Sequence, residues 1–69
     1  MPLTFAAAGE TGTVKEIRGK DETRRFLESL GFTVGGRVEV VSQIGGNLIV
    51  NVKDSRIALS KAMANRIMV

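Results

Sequence analysis

Asp21 to Val41 couples a short amphipathic helix to a β-strand through a glycine stop and a tight glycine turn, and few folds accommodate such a junction. Thr23, Phe26, Leu27 and Leu30 fall on one helical face. Gly31 is suited to the left-handed conformation that ends a helix, and Phe32 to folding back onto the last turn. Gly35 and Gly36 then reverse the chain. From Arg37 the period changes to two, with Val38 and Val40 on one side and Arg37, Glu39 and Val41 on the other. The junction predicts a helix clipped onto a small β structure.

The flanking segments supply the remaining strands. Pro2 to Ala8 reads as an edge segment or short turn that sends Leu3 and Phe5 into the core. Thr11 to Arg18 reads as the first strand. Its inward residues, Val14 and Ile17, are three positions apart where strict alternation demands two or four, so a bulge or bend is expected around Lys15 and Glu16. Arg37 to Ser42 and Leu48 to Val52 read as a hairpin across Gln43 to Asn47, where Gly45 and Gly46 permit positive φ. Lys53 to Ser55 turns the chain again, and Arg56 to Leu59 forms a fourth short strand. Ser60 caps one helical turn through Asn65, and Ile67 to Val69 closes the sheet.

The order of these blocks resembles the ferrous iron transport protein A (FeoA) family over nearly the whole chain. Gly12, Val14, Ile17 and Gly19 match the opening "G..g.V..i.G", the helix closes on Leu30-Gly31, and Ile57, Ala58, Leu59, Ala64, Ile67 and Val69 match the final "IAL…A..I.V". Any small barrel offers scattered Gly and Val; few offer all three blocks in register. The family's turn commonly carries Pro before Gly, whereas Val34 precedes Gly35 here, which makes this turn less rigid. The expected product is mainly β with a short inserted α-helix: an SH3-like small β-barrel, one domain over residues 1–69.

Length and composition point the same way. A chain of 69 residues has room for one modest core, and chains of this size often rely on disulfides, a structural metal or association. With no Cys and no His, packing remains, together with weak homo-oligomerisation. Absence of Cys fits a reducing compartment. No stretch approaches a membrane span, and Met1 to Ala8 lacks the basic lead of a signal peptide. A cytoplasmic location without membrane insertion is the expectation.

Catalysis is disfavoured by elimination. Without His, Cys or Tyr there is no ready general base near neutral pH and no thiolate, and Ser29, Ser42, Ser55 and Ser60 have no His to activate them. Lys20 follows Gly19, but a phosphate-cradling loop needs two spaced glycines and Ser or Thr after the Lys, where Asp21 stands. No enzyme and no cofactor are expected. Iron(II) sites draw on imidazole, carboxylate and thiolate. Only carboxylates exist here, scattered among basic neighbours apart from adjacent Asp21 and Glu22, so no metal site is expected. Met63 and Met68 read as gap-filling core residues.

Three interaction readings remain. A net charge of +3 with a pI near 10 raises nucleic acid as a partner. Arg18, Lys20, Arg24 and Arg25 cluster at the first loop and helix, but helix-surface pairs of Asp21 with Arg25 and Arg24 with Glu28 answer part of that charge. All three aromatics, Phe5, Phe26 and Phe32, occupy predicted core positions, which leaves none for base stacking. An SH3-type proline-peptide groove needs the Tyr and Trp that this chain lacks. The third reading is a protein contact on the outward side of the hairpin, where Val41 and Ile49 are expected near one another with Ile44 at the tip; a half-covered sheet explains the same residues.

The resemblance implies the sharpest function: a small cytosolic accessory of the membrane ferrous-iron transporter FeoB, which carries a cytosolic GTP-binding domain, acting by protein–protein interaction and not by binding iron itself. Arg24, Arg25 and Arg56 are then candidates to lend charge to a nucleotide site. The alternatives are a small-barrel nucleic-acid-binding protein, or an SH3-like interaction module of the kind appended to iron-dependent regulators. The chain has no DNA-reading helix pair, which argues against the second.

Overall fold

The computed structural model describes residues 1–69. Helix α1 spans Asp21–Ser29. Lys20 at its N-cap offers no capping hydrogen bond, and Asp21 and Glu22 place negative charge in the first turn instead. The helix stops as its sequence predicts. Gly31 takes φ 110°, its amide donates to the Glu28 carbonyl at 2.9 Å, and the Phe32 amide donates to the Leu27 carbonyl at 3.1 Å, the bond pair of a Schellman motif. Leu27 is fully buried and Thr23 and Leu30 are half-buried, but Phe26 is 49 % exposed, which corrects its expected core position. The buried stripe centres on Leu27, and Phe26 lies about 100° around the helix from it.

The expected first strand is two strands. β1 (Thr11–Thr13) and β2 (Glu16–Ile17) flank the predicted bend and enter different sheets. Between them buried Val14 donates its amide to the Gly36 carbonyl at 2.8 Å and accepts from the Gly35 amide at 2.8 Å. The glycine turn after α1 thus fills the break in the strand and satisfies its backbone groups. A Cβ at Gly36 would stand 3.0 Å from the Thr33 carbonyl oxygen, so the close turn needs glycine there.

β3 (Arg37–Ile44), β4 (Asn47–Val52) and β5 (Ser55–Ser60) complete an antiparallel sheet ordered β1-β3-β4-β5. The β3–β4 hairpin runs further than its sequence suggests, with Ile44 opposite Asn47 and only Gly45 and Gly46 between the strands. A register shift between Val40 and Ser42 places a bulge at Val41. The β4–β5 turn holds Lys53 and Asp54 at φ 47° and 64°, the left-handed pair of a type I′ hairpin. Helix α2 (Lys61–Ala64) is capped as predicted, the Ser60 hydroxyl accepting from the Met63 amide at 3.3 Å.

β6 (Ile67–Met68) pairs with β2 and not with the main sheet, so the barrel expected to close at Ile67 to Val69 is a four-stranded sheet and a two-stranded one. Val38, Val40, Leu48, Val50, Val52 and Leu59 of the larger sheet meet Leu3, Val14, Leu27, Phe32, Ala64 and Ile67 in one core. Met68 is buried and Met63 packs against this core. Phe5 departs from expectation. A 3₁₀ turn over Leu3–Phe5 buries Leu3 and leaves Phe5 73 % exposed. The architecture is mainly β with a short inserted helix.

Candidate partner-binding site

No polar or charged residue is buried, and every Lys, Arg, Asp and Glu is exposed. Chemistry in this molecule therefore belongs to its surface. No group of three carboxylates converges anywhere, and no helix is long and apolar enough to cross a membrane.

The hairpin carries the first set of candidate residues. Residues paired across an antiparallel ladder share a face, and Ile49 of β4 lies opposite Ser42 of β3 and Ala58 of β5. Ile49 does not lie opposite Val41, because the bulge at Val41 shifts the register by one; two β-branched residues in succession, Val40 and Val41, gave no sign of it. Val41 and Ile49 are each half-buried. Ile44, opposite Asn47 at the tip, is 64 % exposed and falls on the same side of the hairpin as Ile49. Ile44, Ile49 and Ala58 thus form the apolar part of the outer face.

Further along that face the surface is polar. Arg56 Nε donates to Asn51 Oδ1 at 3.3 Å, and Asn51 Nδ2 donates to Glu39 Oε1 at 3.0 Å. Thr11 stands opposite Glu39, so a polar row crosses all four strands. Arg56 is held within this row.

Arg24 and Arg25 project from α1 and share a shallow surface with Asp21 and Glu28. The expected pairs of Asp21 with Arg25 and Arg24 with Glu28 do not form. Arg24 Nη1 instead meets Asp21 Oδ1 at 3.8 Å across three residues, and Arg25 has no carboxylate partner. A groove of about 420 Å³ between α1 and the β2 segment is lined by Arg24, Glu28, Lys15 and Glu16 with Ile17 and Val34. Its mixed charges select no ligand. Phe5 and Phe26, both assigned to the core from sequence, add exposed aromatic surface.

The FeoA domain family model matches residues 1–69. The chain belongs to the FeoA family. An Fe(2+) transport protein A of Methanocaldococcus jannaschii is 35 % identical over 68 residues, covering 99 % of this chain and 83 % of that protein. A crystal structure of an iron uptake regulatory protein, FeoA, superposes with a TM-score of 0.88 at 33 % identity, covering 96 % of this chain and 88 % of the other. FeoA of Stenotrophomonas maltophilia, solved in complex with zinc and described as an SH3 domain protein, gives a TM-score of 0.86 at 28 % identity over 99 % of this chain and 87 % of its own. Family membership and an SH3-like fold are thereby joined to the geometry above.

Proposed function

We propose that this FeoA-family protein is a small cytoplasmic accessory of the FeoB ferrous-iron transporter, acting through protein–protein contact, without catalysis and without binding iron itself. The observation that carries the reading is the outer face of the β3–β4–β5 sheet. There Ile44, Ile49 and Ala58 offer an apolar surface beside the Glu39–Asn51–Arg56 row, the mixture of apolar centre and polar margin found at protein interfaces. The exposure of every charged side chain supports it, because catalysis draws on groups held in desolvated surroundings. Scattered carboxylates in a chain without His or Cys support an accessory role over an iron carrier.

The test is titration of the isotope-labelled protein with the cytosolic region of FeoB. Shifts are expected along β3 and β4 and should vanish in the Ile44→Thr, Ile49→Thr double variant, which stays folded because neither side chain belongs to the core cluster. Unchanged binding by that variant would move the contact to Arg24 and Arg25. No binding at concentrations of about 1 mM would overturn the proposal.

A further inference from the structure

A groove between β2, α2 and β6 is lined by two arginines and by no Asp or Glu. Pro2, Ala62 and Met68 give this shallow, open groove of about 460 Å³ its apolar lining, and Arg18, Asn65 and Arg66 its polar lining. The β2–β6 register pairs Glu16 with Met68 and Ile17 with Ile67. Its next step sets Arg18 opposite Arg66, and there the Arg18 amide donates to the Arg66 carbonyl at 2.7 Å. Like charges directly opposite one another on an antiparallel pair destabilise it.

The chain does little to relieve that opposition. Arg66 has no carboxylate within 4.0 Å, and Arg18 meets only Glu16, through a single Nε contact at 3.3 Å between side chains 63 % and 59 % exposed. Arg66 also passes over Gly19, where a Cβ would stand 3.8 Å from its Cδ. Asn65 Oδ1 accepts from the Thr4 hydroxyl at 2.6 Å, which leaves the Asn65 amide NH₂ as the free end of that side chain.

We infer that this groove docks an acidic segment of a partner protein. Two carboxylates of the segment take the Arg18 and Arg66 guanidiniums in bidentate contacts. A neighbouring apolar residue of the segment rests on Pro2, Ala62 and Met68, and the Asn65 amide donates to its backbone. Charge complementarity selects this occupant, because the bound carboxylates cancel the repulsion that the register imposes. Nucleic acid fits the groove less well: two cations are too few to track a phosphate backbone, and no aromatic side chain lines it for stacking. The inference does not depend on the transporter reading, since its probe is a synthetic peptide and its surface is not the outer sheet face.

The experiment titrates the labelled protein, at low ionic strength, with a capped eight-residue peptide bearing two Asp beside a central Leu. Saturable shifts are expected at the Arg18, Ala62, Arg66 and Met68 amides, with affinity falling about tenfold or more in the Arg18→Gln, Arg66→Gln variant. Equal binding of the same peptide with Asn for Asp would overturn the inference. So would tighter occupation of the groove by inorganic phosphate or a short single-stranded oligonucleotide, or the absence of saturation at about 1 mM peptide. A second readout needs no ligand. Relief of the opposed charges in Arg66→Gln alone should raise Tm by about 2–4 °C, and a fall in Tm would remove the physical basis of the site.

Discussion

Leu27 accepts the Phe32 amide hydrogen bond at 3.1 Å, and the side chains of both residues are fully buried. One residue ends the helix and the other enters the core immediately after it, so the helix stop and the hydrophobic core are the same structure. That coupling explains how nine helical residues, too few to persist alone, hold a fixed place on a small β fold. It also sets the strands, because the turn that follows Phe32 docks both its glycine peptides on Val14.

Phe32→Ala should therefore cost the fold and not only the helix. Truncating a fully buried Phe costs about 3–5 kcal/mol, comparable with the whole stability of a domain this small, about 3–5 kcal/mol. Urea titration and NMR dispersion are expected to report an unfolded or molten chain. Phe26→Ala, at a half-exposed position, should stay folded with a loss of about 1 kcal/mol or less. Equal losses at the two sites would contradict the placement of the core.

What was legible in the sequence had a local cause. Gly31 after Leu30, Ser60 before a short helical turn, and alternation through Val38, Val40, Leu48 and Val50 each announce their structure through neighbours within a few residues, and each forms as the sequence predicts. Phe26 and Phe5 depart from expectation because apolar character does not fix burial: a one-residue offset on a helix or a 3₁₀ turn decides which side faces in. The bulge at Val41 has no marker, since Val40 and Val41 suit a strand equally. On the proposed contact surface, Ile44 and Ile49 are legible as outward residues of a hairpin. The opposition of Arg18 and Arg66 was not, because only the β2–β6 register joins residues so distant in sequence.

Gly31→Ala and Gly45→Ala should separate two kinds of positive φ. At Gly31 a Cβ would meet nothing closer than 3.5 Å, so its cost lies in the backbone, and φ 110° lies well outside the left-handed helical well near 57°. Gly45, at φ 58°, lies within that well and a Cβ there meets nothing within 4 Å. Losses of about 2 kcal/mol at Gly31 and about 1 kcal/mol at Gly45 are expected. Denaturant midpoints at constant m-value would measure both, and the reverse order would be inconsistent with the Schellman stop.

The Lys53–Asp54 turn offers a gain. Both residues hold positive φ without being glycine, while type I′ turns favour Asn followed by Gly. Lys53→Asn with Asp54→Gly should stabilise the protein by about 1 kcal/mol and raise Tm by about 4–8 °C. Destabilisation would mean that the Lys53 stem, whose Cδ lies 3.5 Å from where a Gly31 Cβ would stand, contributes more by covering the helix stop than the strained turn costs.

Iron(II) should find no saturable site in the isolated protein. The available ligands are seven carboxylates without His or Cys, no three of them converge, and Glu16 and Asp21 are already engaged with Arg18 and Arg24. Asp21 and Glu22 are adjacent on α1 and diverge around its axis, so the one close pair in sequence cannot chelate through a shared face. Anaerobic calorimetry is expected to give small, non-saturating heats that disappear at physiological ionic strength. Stoichiometric binding tighter than about 1 μM, abolished by Asp21→Asn or Glu22→Gln, would instead establish a carboxylate iron site and make the protein a carrier in its own right.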